Sequence, residues 1–334
     1  MKKRARFAVI GINHDHIYRM TEAALGGGGE LAGFYAPDEK WATNYQTRFP
    51  DAPRVTDPRV FLEDESIALI LSACVPSDRA ALGMQVMRHG KDYLCDKAAF
   101  LNREELDAAR RVQQETGRIF AISYSERLLD RSANRAGELV RGGAIGRVVQ
   151  VAILAPHTLR IASRPSWFFE RKHYGGILTD IGSHQVEQFL YYSGLTNVEV
   201  VSSLVANYKH PNHPEFEDYG EATFRGQDAE GNGCTGFVRA DWLIPDNAKH
   251  TGRHRVVMGT EGILEIGGDT LTLVNANGTE RIDCQQDPVL FGTRLIDDVL
   301  NRTETAINQT HCFYASELTL RAQEHAARHG NLGN

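Results

Sequence analysis

A chain of 334 residues, 42% hydrophobic and 24% charged, has the make-up of a globular protein and the length for two cores. Its formal charge of -6 offers no broad positive field, and the basic opening Lys2-Lys3-Arg4 is too short for a nucleic-acid arm, so no nucleic-acid partner is expected. No segment has the length of a membrane span, the apolar run Phe7 to Ile12 is too short for a signal peptide, and five cysteines without CxxC spacing suit a reduced, cytoplasmic setting.

The first third alternates. Residues 5 to 12 form an apolar strand, and residues 16 to 25 fit a helix whose inner face carries Ile17, Met20, Ala24 and Leu25. Gly26 to Gly29 is a loop and Leu31 to Tyr35 the next strand. The pattern then repeats: helix Asp38 to Arg48, strand Ile67 to Cys74, helix Asp78 to His89, strand Asp92 to Cys95, helix Arg103 to Thr116 and strand Arg118 to Ser123. Strands so uniformly apolar are buried on both faces, which predicts a doubly wound, Rossmann-type α/β domain over residues 1–123. Such a sheet binds ligands beyond the carboxyl ends of its strands.

The first strand-to-helix turn reads Gly11-Ile12-Asn13-His14-Asp15-His16. Against G-x-G-x-x-G it keeps one glycine of three. Asn13 tolerates left-handed angles and can keep the turn, whereas His16 in place of glycine holds the helix farther from its neighbour. The acid that would bind ribose hydroxyls after the second strand is replaced by Ala36. Asp38 is the nearest substitute and Lys40 would favour a 2'-phosphate, so NAD and NADP both stay open. Cys74, Val75 and Pro76 make a turn able to pass under a nicotinamide ring, and the strand from Asp92 runs on into the pair Asp96-Lys97. The plain alternative is the same fold with no dinucleotide.

Beyond residue 124 the alternation stops, and residues 124–334 read as an α+β domain with a largely antiparallel, open-faced sheet. A helix Leu128 to Arg141 ends at Gly142-Gly143, and a strand covers Gly146 to Ala155. The following polar and aromatic residues suit a pocket that stacks on a sugar face, with His157, Arg160, Trp167 and Tyr174 as candidates, or a plain sheet-edge loop. After Gly175-Gly176 an apolar pattern at Ile181, Val186, Phe189 and Leu190 predicts a packed helix. Its Asp180 and His184 are four apart, on one face, where a carboxylate can orient an imidazole, and Gln188 extends the stripe. Strands follow at 198–207, 219–224, 236–242, 254–259, 262–266 and 271–275, with a hairpin signal at Asn277-Gly278 and a closing helix from Thr310 to Arg328.

Asp96-Lys97-Ala98 and the run of Gly175, Gly176, Asp180, Gly182 and His184 together resemble the Gfo/Idh/MocA family of oxidoreductases, over nearly the whole chain. The family's usual Glu-Lys-Pro is here Asp96-Lys97-Ala98, with the lysine kept and the proline lost. The resemblance implies NAD(H) or NADP(H) held by Gly11, Ile12, Asn13, His14, His16, Ala36, Cys74, Val75, Pro76, Asp96 and Lys97. It implies Lys97, Asp180 and His184 on the substrate side, and a small polyhydroxylated substrate such as a sugar, inositol or sugar acid. Oxidising a secondary hydroxyl requires a base for its proton; histidine titrates near neutrality, lysine can polarise the oxygen as a cation, and aspartate is left to orient or bind. A lyase or epimerase that recycles a tightly held NAD, and a non-enzymatic nucleotide-binding sensor, are the alternatives. The resemblance also implies a homodimer or homotetramer through the second sheet. The pairs His14/His16, His173/His184 and His250/His254 raise a metal, but no acid stands between the last two and no cysteine is placed to join them, so none is expected.

Overall fold

The fold is described from a computed structural model covering residues 4–228, 230–248 and 252–329; Lys2, Lys3 and His250 lie outside the described residues. Unbroken apolar runs do form a parallel sheet covered on both sides. Its strands are β1 (Arg6–Ile12), β2 (Glu30–Tyr35), β3 (Ile67–Ala73), β4 (Asp92–Asp96) and β5 (Phe120–Ser123), in the order β2-β1-β3-β4-β5. Helices α1 (His16–Gly26), α2 (Glu39–Arg48), α3 (Arg59–Glu63), α4 (Pro76–Arg88) and α5 (Arg103–Thr116) connect them. Every residue of β4 and β5 is buried. The direction of strand succession reverses between β1 and β3, and the loops leaving those strands begin at Asn13 and Cys74.

This first unit takes Met1–Ser123 and also Leu290–Phe313, so a late segment joins it that the sequence reading assigned to the second domain. Its helix, numbered α10 in chain order (Phe291–Asn301), packs on α1, and Arg302 at its end reaches the Asp92 carboxylate at 2.5 Å and the Gly117 carbonyl at 2.7 Å. Those partners lie far away in sequence, so no local pattern announces the return.

The second unit takes Tyr124–Val289 and Tyr314–Asn334. The helix expected from Leu128 is two helices, α6 (Ser125–Leu128) and α7 (Arg131–Arg141), because the Asp130 side chain caps the second by accepting from Ala133 N at 2.9 Å. Its mixed eight-stranded sheet holds β6 (Val148–Thr158), β7 (Val198–Ala206), β8 (Tyr219–Gln227), β9 (Gly233–Ile244), β10 (His254–Gly259), β11 (Gly262–Ile266), β12 (Thr270–Asn275) and β13 (Gly278–Asp283). The order is β13-β12-β11-β10-β6-β9-β8-β7, and only the β6–β9 pair is parallel. The Asn277-Gly278 signal stands where β12 turns into β13, a strand absent from the sequence reading. Helix α7 and a later helix cover one face of this sheet. On the other, Ala152, Phe237 and Val256 sit side by side, half-exposed.

The covering helix is the one the two glycines introduce, and it is not regular throughout. After α8 (Arg171–Tyr174) the chain makes one π turn over Leu178–Gly182 and only then an α-helix, α9 (Ser183–Ser193). The final helix, α11, spans Gln309–His329.

Candidate active site

In the first unit the candidate residues gather at the carboxyl ends of β1, β3 and β4. Gly11 has φ +84°, and a Cβ there would stand 2.6 Å from that of Cys74, so the glycine lets the β1 and β3 ends approach. Asn13 N donates to the Ala73 carbonyl at 2.9 Å, tying the same two ends together. His14 and His16 turn toward Asp96. The His16 Nδ1 lies 2.9 Å from Asp96 Oδ1, and the His14 Nδ1 lies 3.5 Å from Oδ2.

Behind Asp96 stands Arg79, equally buried, a residue the sequence reading passed over. Its guanidinium reaches Asp96 Oδ2 at 3.4 Å, the Cys74 carbonyl at 2.9 Å, the Ala98 carbonyl at 3.2 Å and the Lys97 carbonyl. It therefore braces both loops. Burial works to raise the Asp96 carboxyl, but His16, Arg79 and His14 hold it well below its ordinary value. Burial, with His16 adding to it, pushes the His14 imidazole well below its own. Lys97 is buried next to this cluster, and the peptide bond from Lys97 to Ala98 is cis.

His14, His16 and Asp96 bring one donor atom each within 4.8 Å of one another, a spacing a metal ion can use. Here the donors serve one another. The His16 backbone N–H donates to His14 Nδ1 at 3.3 Å, and the carboxylate is shared between the His16 ring and Arg79.

The features present fit a dinucleotide. Both α1 and α4 start beside the strand reversal, and at neither N-terminus does the preceding residue cap the helix with its side chain. The positive end of each helix dipole favours an anionic diphosphate there, while the first N–H of α1, that of His16, is already accepted by His14 Nδ1 and Pro76 at the start of α4 has none. At the end of β2, Ala36 is buried and its carbonyl accepts from Arg54 at 3.0 Å. Asp38 is spent on capping α2, accepting from Trp41 N at 3.0 Å. The charged groups at this corner are instead Glu39 and Arg54, paired through two contacts of 2.8 and 2.9 Å.

In the second unit the π turn is anchored from outside. Gly176 has φ +99°, and a Cβ there would come within 2.5 Å of Gln323 Oε1 and 2.7 Å of Glu217 Oε2. Its absence admits those two acceptors to the start of the turn. Ile177 N donates to Glu217 at 2.8 Å, and Leu178 N and Thr179 N donate to Gln323 at 2.9 and 3.3 Å. Burial raises the Glu217 carboxyl above its usual value, although Arg171 and the Ile177 N–H oppose it.

Asp180 lies within this turn and His184 in the first turn of α9, both buried, with the His184 ring edge-on to Tyr124 at 6.3 Å. The regular i,i+4 face expected for the pair is interrupted by the π turn between them. Gln185, Glu187 and Gln188 are completely buried as well. Glu187 pairs with Arg127 at 2.6 Å, and Gln188 donates to the His184 carbonyl at 3.2 Å.

Three of the proposed pocket residues meet one aromatic cluster: the His157 ring stands against Trp242, Trp242 against Phe168, and Trp167 and Tyr174 pack on Phe168. His157 is engaged internally: Nδ1 meets the Ala155 carbonyl at 2.8 Å, and Nε2 lies 3.1 Å from Glu126 and 3.0 Å from Arg253. Tyr174 is buried, its hydroxyl accepting from Glu217 N at 2.8 Å and donating to the Glu215 carbonyl at 3.1 Å. Trp167 is half-buried with its ring edge-on to Phe168, and Arg160 is exposed with φ +50°. Glu126, which joins His157 to Arg253 and to Gln185, escaped the sequence reading because nothing local distinguishes it from a surface acid in a short helix.

Comparisons with known proteins fit this architecture. Residues 133–265 match the model of the GFO/IDH/MocA C-terminal domain. The chain is 41% identical to a protein from Erwinia carotovora atroseptica, provisionally described as an oxidoreductase, whose crystal structure superposes with a TM-score of 0.92 over 97% of this chain and 99% of that one. It is 27% identical over 230 residues to the NAD(+)-dependent scyllo-inositol 2-dehydrogenase of Bacillus subtilis, a match spanning 67% of this chain and 63% of that enzyme. Levoglucosan dehydrogenase, solved with NADH and levoglucosan, shares the fold at a TM-score of 0.84 and 15% identity over 98% of each chain. Among the described residues no helix is long and apolar enough to cross a membrane.

Proposed function

We propose, for a chain that belongs to the Gfo/Idh/MocA family of NAD(P)-dependent oxidoreductases, that it exchanges a hydride between NAD or NADP and a secondary hydroxyl of a sugar, inositol or sugar acid, or the matching ketone. The observation that carries this reading is the buried face of α9. His184, Gln185, Glu187 and Gln188 occupy positions that a merely structural helix would fill with apolar groups, and each is at most 2% exposed.

When bound, the nicotinamide supplies the two-electron acceptor for the hydride released from the carbinol carbon. His184 takes the hydroxyl proton as the C–H bond breaks and the C=O bond forms, and returns it in the reverse reaction. Lys97 contributes a compact positive charge for the oxygen on which negative charge develops. Asp180 holds a substrate hydroxyl or orients the imidazole. The loop from Gly11 to His16 and the turn from Cys74 to Pro76 hold the dinucleotide, and the positive dipole ends of α1 and α4 favour its diphosphate.

The half-exposed sheet face with Ala152, Phe237 and Val256 supports pairing into a homodimer or homotetramer, and the five buried, unbridged cysteines support a reducing, cytoplasmic setting. The test is a panel of polyols, inositols and sugar acids followed at the nicotinamide absorbance, with mass detection of products. Net reduction of added NAD or NADP is expected. Product formed without net change in cofactor would replace the dehydrogenase with a lyase or epimerase, and no binding of either dinucleotide would leave the sensor.

A further inference from the structure

The second unit contains a carboxylate with no part in the scheme above. Glu126 sits in the short helix α6, which packs on α9, and its side chain is only 13% exposed. One oxygen, Oε1, lies 3.1 Å from His157 Nε2 on β6. The other, Oε2, accepts from Gln185 Nε2 at 2.8 Å and meets Arg253 Nη1 at 2.8 Å. Gln185 is the residue next to His184.

We propose that Glu126 is a positioning residue for His184: it fixes the first turn of α9 through Gln185 and keeps a negative charge beside the imidazole, so that the protonated ring is stabilised when it receives the substrate proton. The inference rests on the reading of His184 as the proton acceptor.

Three further observations support it. Burial acts to raise the Glu126 carboxyl, but Arg253, His184 and His157 together keep it well below its ordinary value, so it is an anion wherever the enzyme would work. Among the described residues, these charged and titratable groups stand near the pair. Arg253 and His157 face Glu126, and Arg255 on β10 donates to its backbone carbonyl at 3.3 Å. Around His184 stand Tyr124 and, in the preceding turn, Asp180; the remaining acid of α9, Glu187, is neutralised by Arg127. Finally, the polar chain from β6 through α6 ends on Gln185 in the first turn of α9, so it ties three elements to the turn that carries His184.

The experiment follows the histidine titrations of the full-length protein by NMR, with the His184 resonance identified by its loss in His184→Ala, beside the pH dependence of kcat/KM. In Glu126→Gln, which keeps shape and removes charge, the His184 midpoint and the acidic limb should both move to lower pH by on the order of one unit. Glu126→Asp should keep the midpoint near that of the wild type. Should the glutamine variant fail to fold, Arg253→Met tests the same field with opposite sign, because removing the cation should move the midpoint up. A midpoint that stays put in every folded variant would overturn the proposal. Failure of the underlying reading looks different: the acidic limb would then survive in His184→Ala itself.

Discussion

The two units each enter their functional helix from a glycine with a left-handed backbone, yet they hold that entry in opposite ways. The turn after Gly11 leads into α1 with a single side-chain acceptor, the His14 ring on the His16 backbone N–H, and it is braced from the side by Asp96, His16 and Arg79. The turn after Gly176 is filled at once by Glu217 and Gln323, which accept from three successive N–H groups. A helix start held by so few acceptors leaves its positive dipole end to an anion. A closed one makes a rigid base for a side chain that must be aimed, and His184 is seven residues past the first of those N–H groups, that of Ile177. The proposed division of labour, binding in the first unit and proton chemistry in the second, matches this difference in how each helix begins.

Breaking the lateral brace or its counterpart should have the largest effect. Arg79→Met leaves Asp96 buried without its guanidinium, and Arg127→Met does the same to Glu187. Each should cost about 3–5 kcal/mol in urea unfolding, as removal of one partner from a buried ion pair does. Only the first should also weaken NADH binding in a fluorescence titration, because only Arg79 ties the loops that leave β3 and β4.

Gly176→Ala attacks the closed entry. The new methyl would meet both capping acceptors at backbone angles that disfavour it, and a loss of about 2–3 kcal/mol in stability is expected, together with a fall in turnover that leaves dinucleotide affinity alone. Equal loss of NADH binding would erase the contrast between the two starts.

Acid sharpens the same comparison. The folded-state Glu126 titrates well below its ordinary value of 4.5, so the unfolded chain binds the proton more readily. Its contribution to stability is fully present above pH 4.5 and is lost as pH falls below that through the folded-state value. The stability difference between wild type and Glu126→Gln, measured by urea unfolding at a series of pH values, should therefore shrink across that window and not above it.

The smallest expected effect separates a cap from a ribose ligand. Asp38→Ala removes the N-cap of α2 and should cost about 1 kcal/mol while leaving the Kd for NADH unchanged. A marked loss of NADH affinity would give Asp38 the ribose role that its bond to Trp41 N argues against.

What could be read along the chain, and what could not, follows the range of the interactions. The parallel sheet was legible because a strand such as Leu69-Ile70-Leu71 has no polar position to expose, and the α9 segment because its apolar residues recur at helical spacing. Local caps were readable in principle: Asp130 three residues before Ala133, and Asp38 three before Trp41. The π turn was not, since its stabilising acceptors lie 40 and 145 residues away. Nor were Arg79 and Glu126, whose roles are set by which groups the fold buries around them and not by their neighbours in sequence. Tyr174 shows the converse error. An aromatic hydroxyl ahead of the key turn reads like a pocket residue, and the fold spends it on the backbone of residues 215 and 217.

The central claim, that the first unit binds the dinucleotide while His184 of the second handles the proton, is tested most directly by His184→Ala, with NADH affinity and the pH profile of kcat/KM measured on the same preparation. The expected result is unchanged NADH affinity, a fall in kcat/KM of about 10²-fold or more, and disappearance of the acidic limb. Near-wild-type turnover with that limb intact would contradict it, and loss of both features in Lys97→Ala instead would move the base to the lysine.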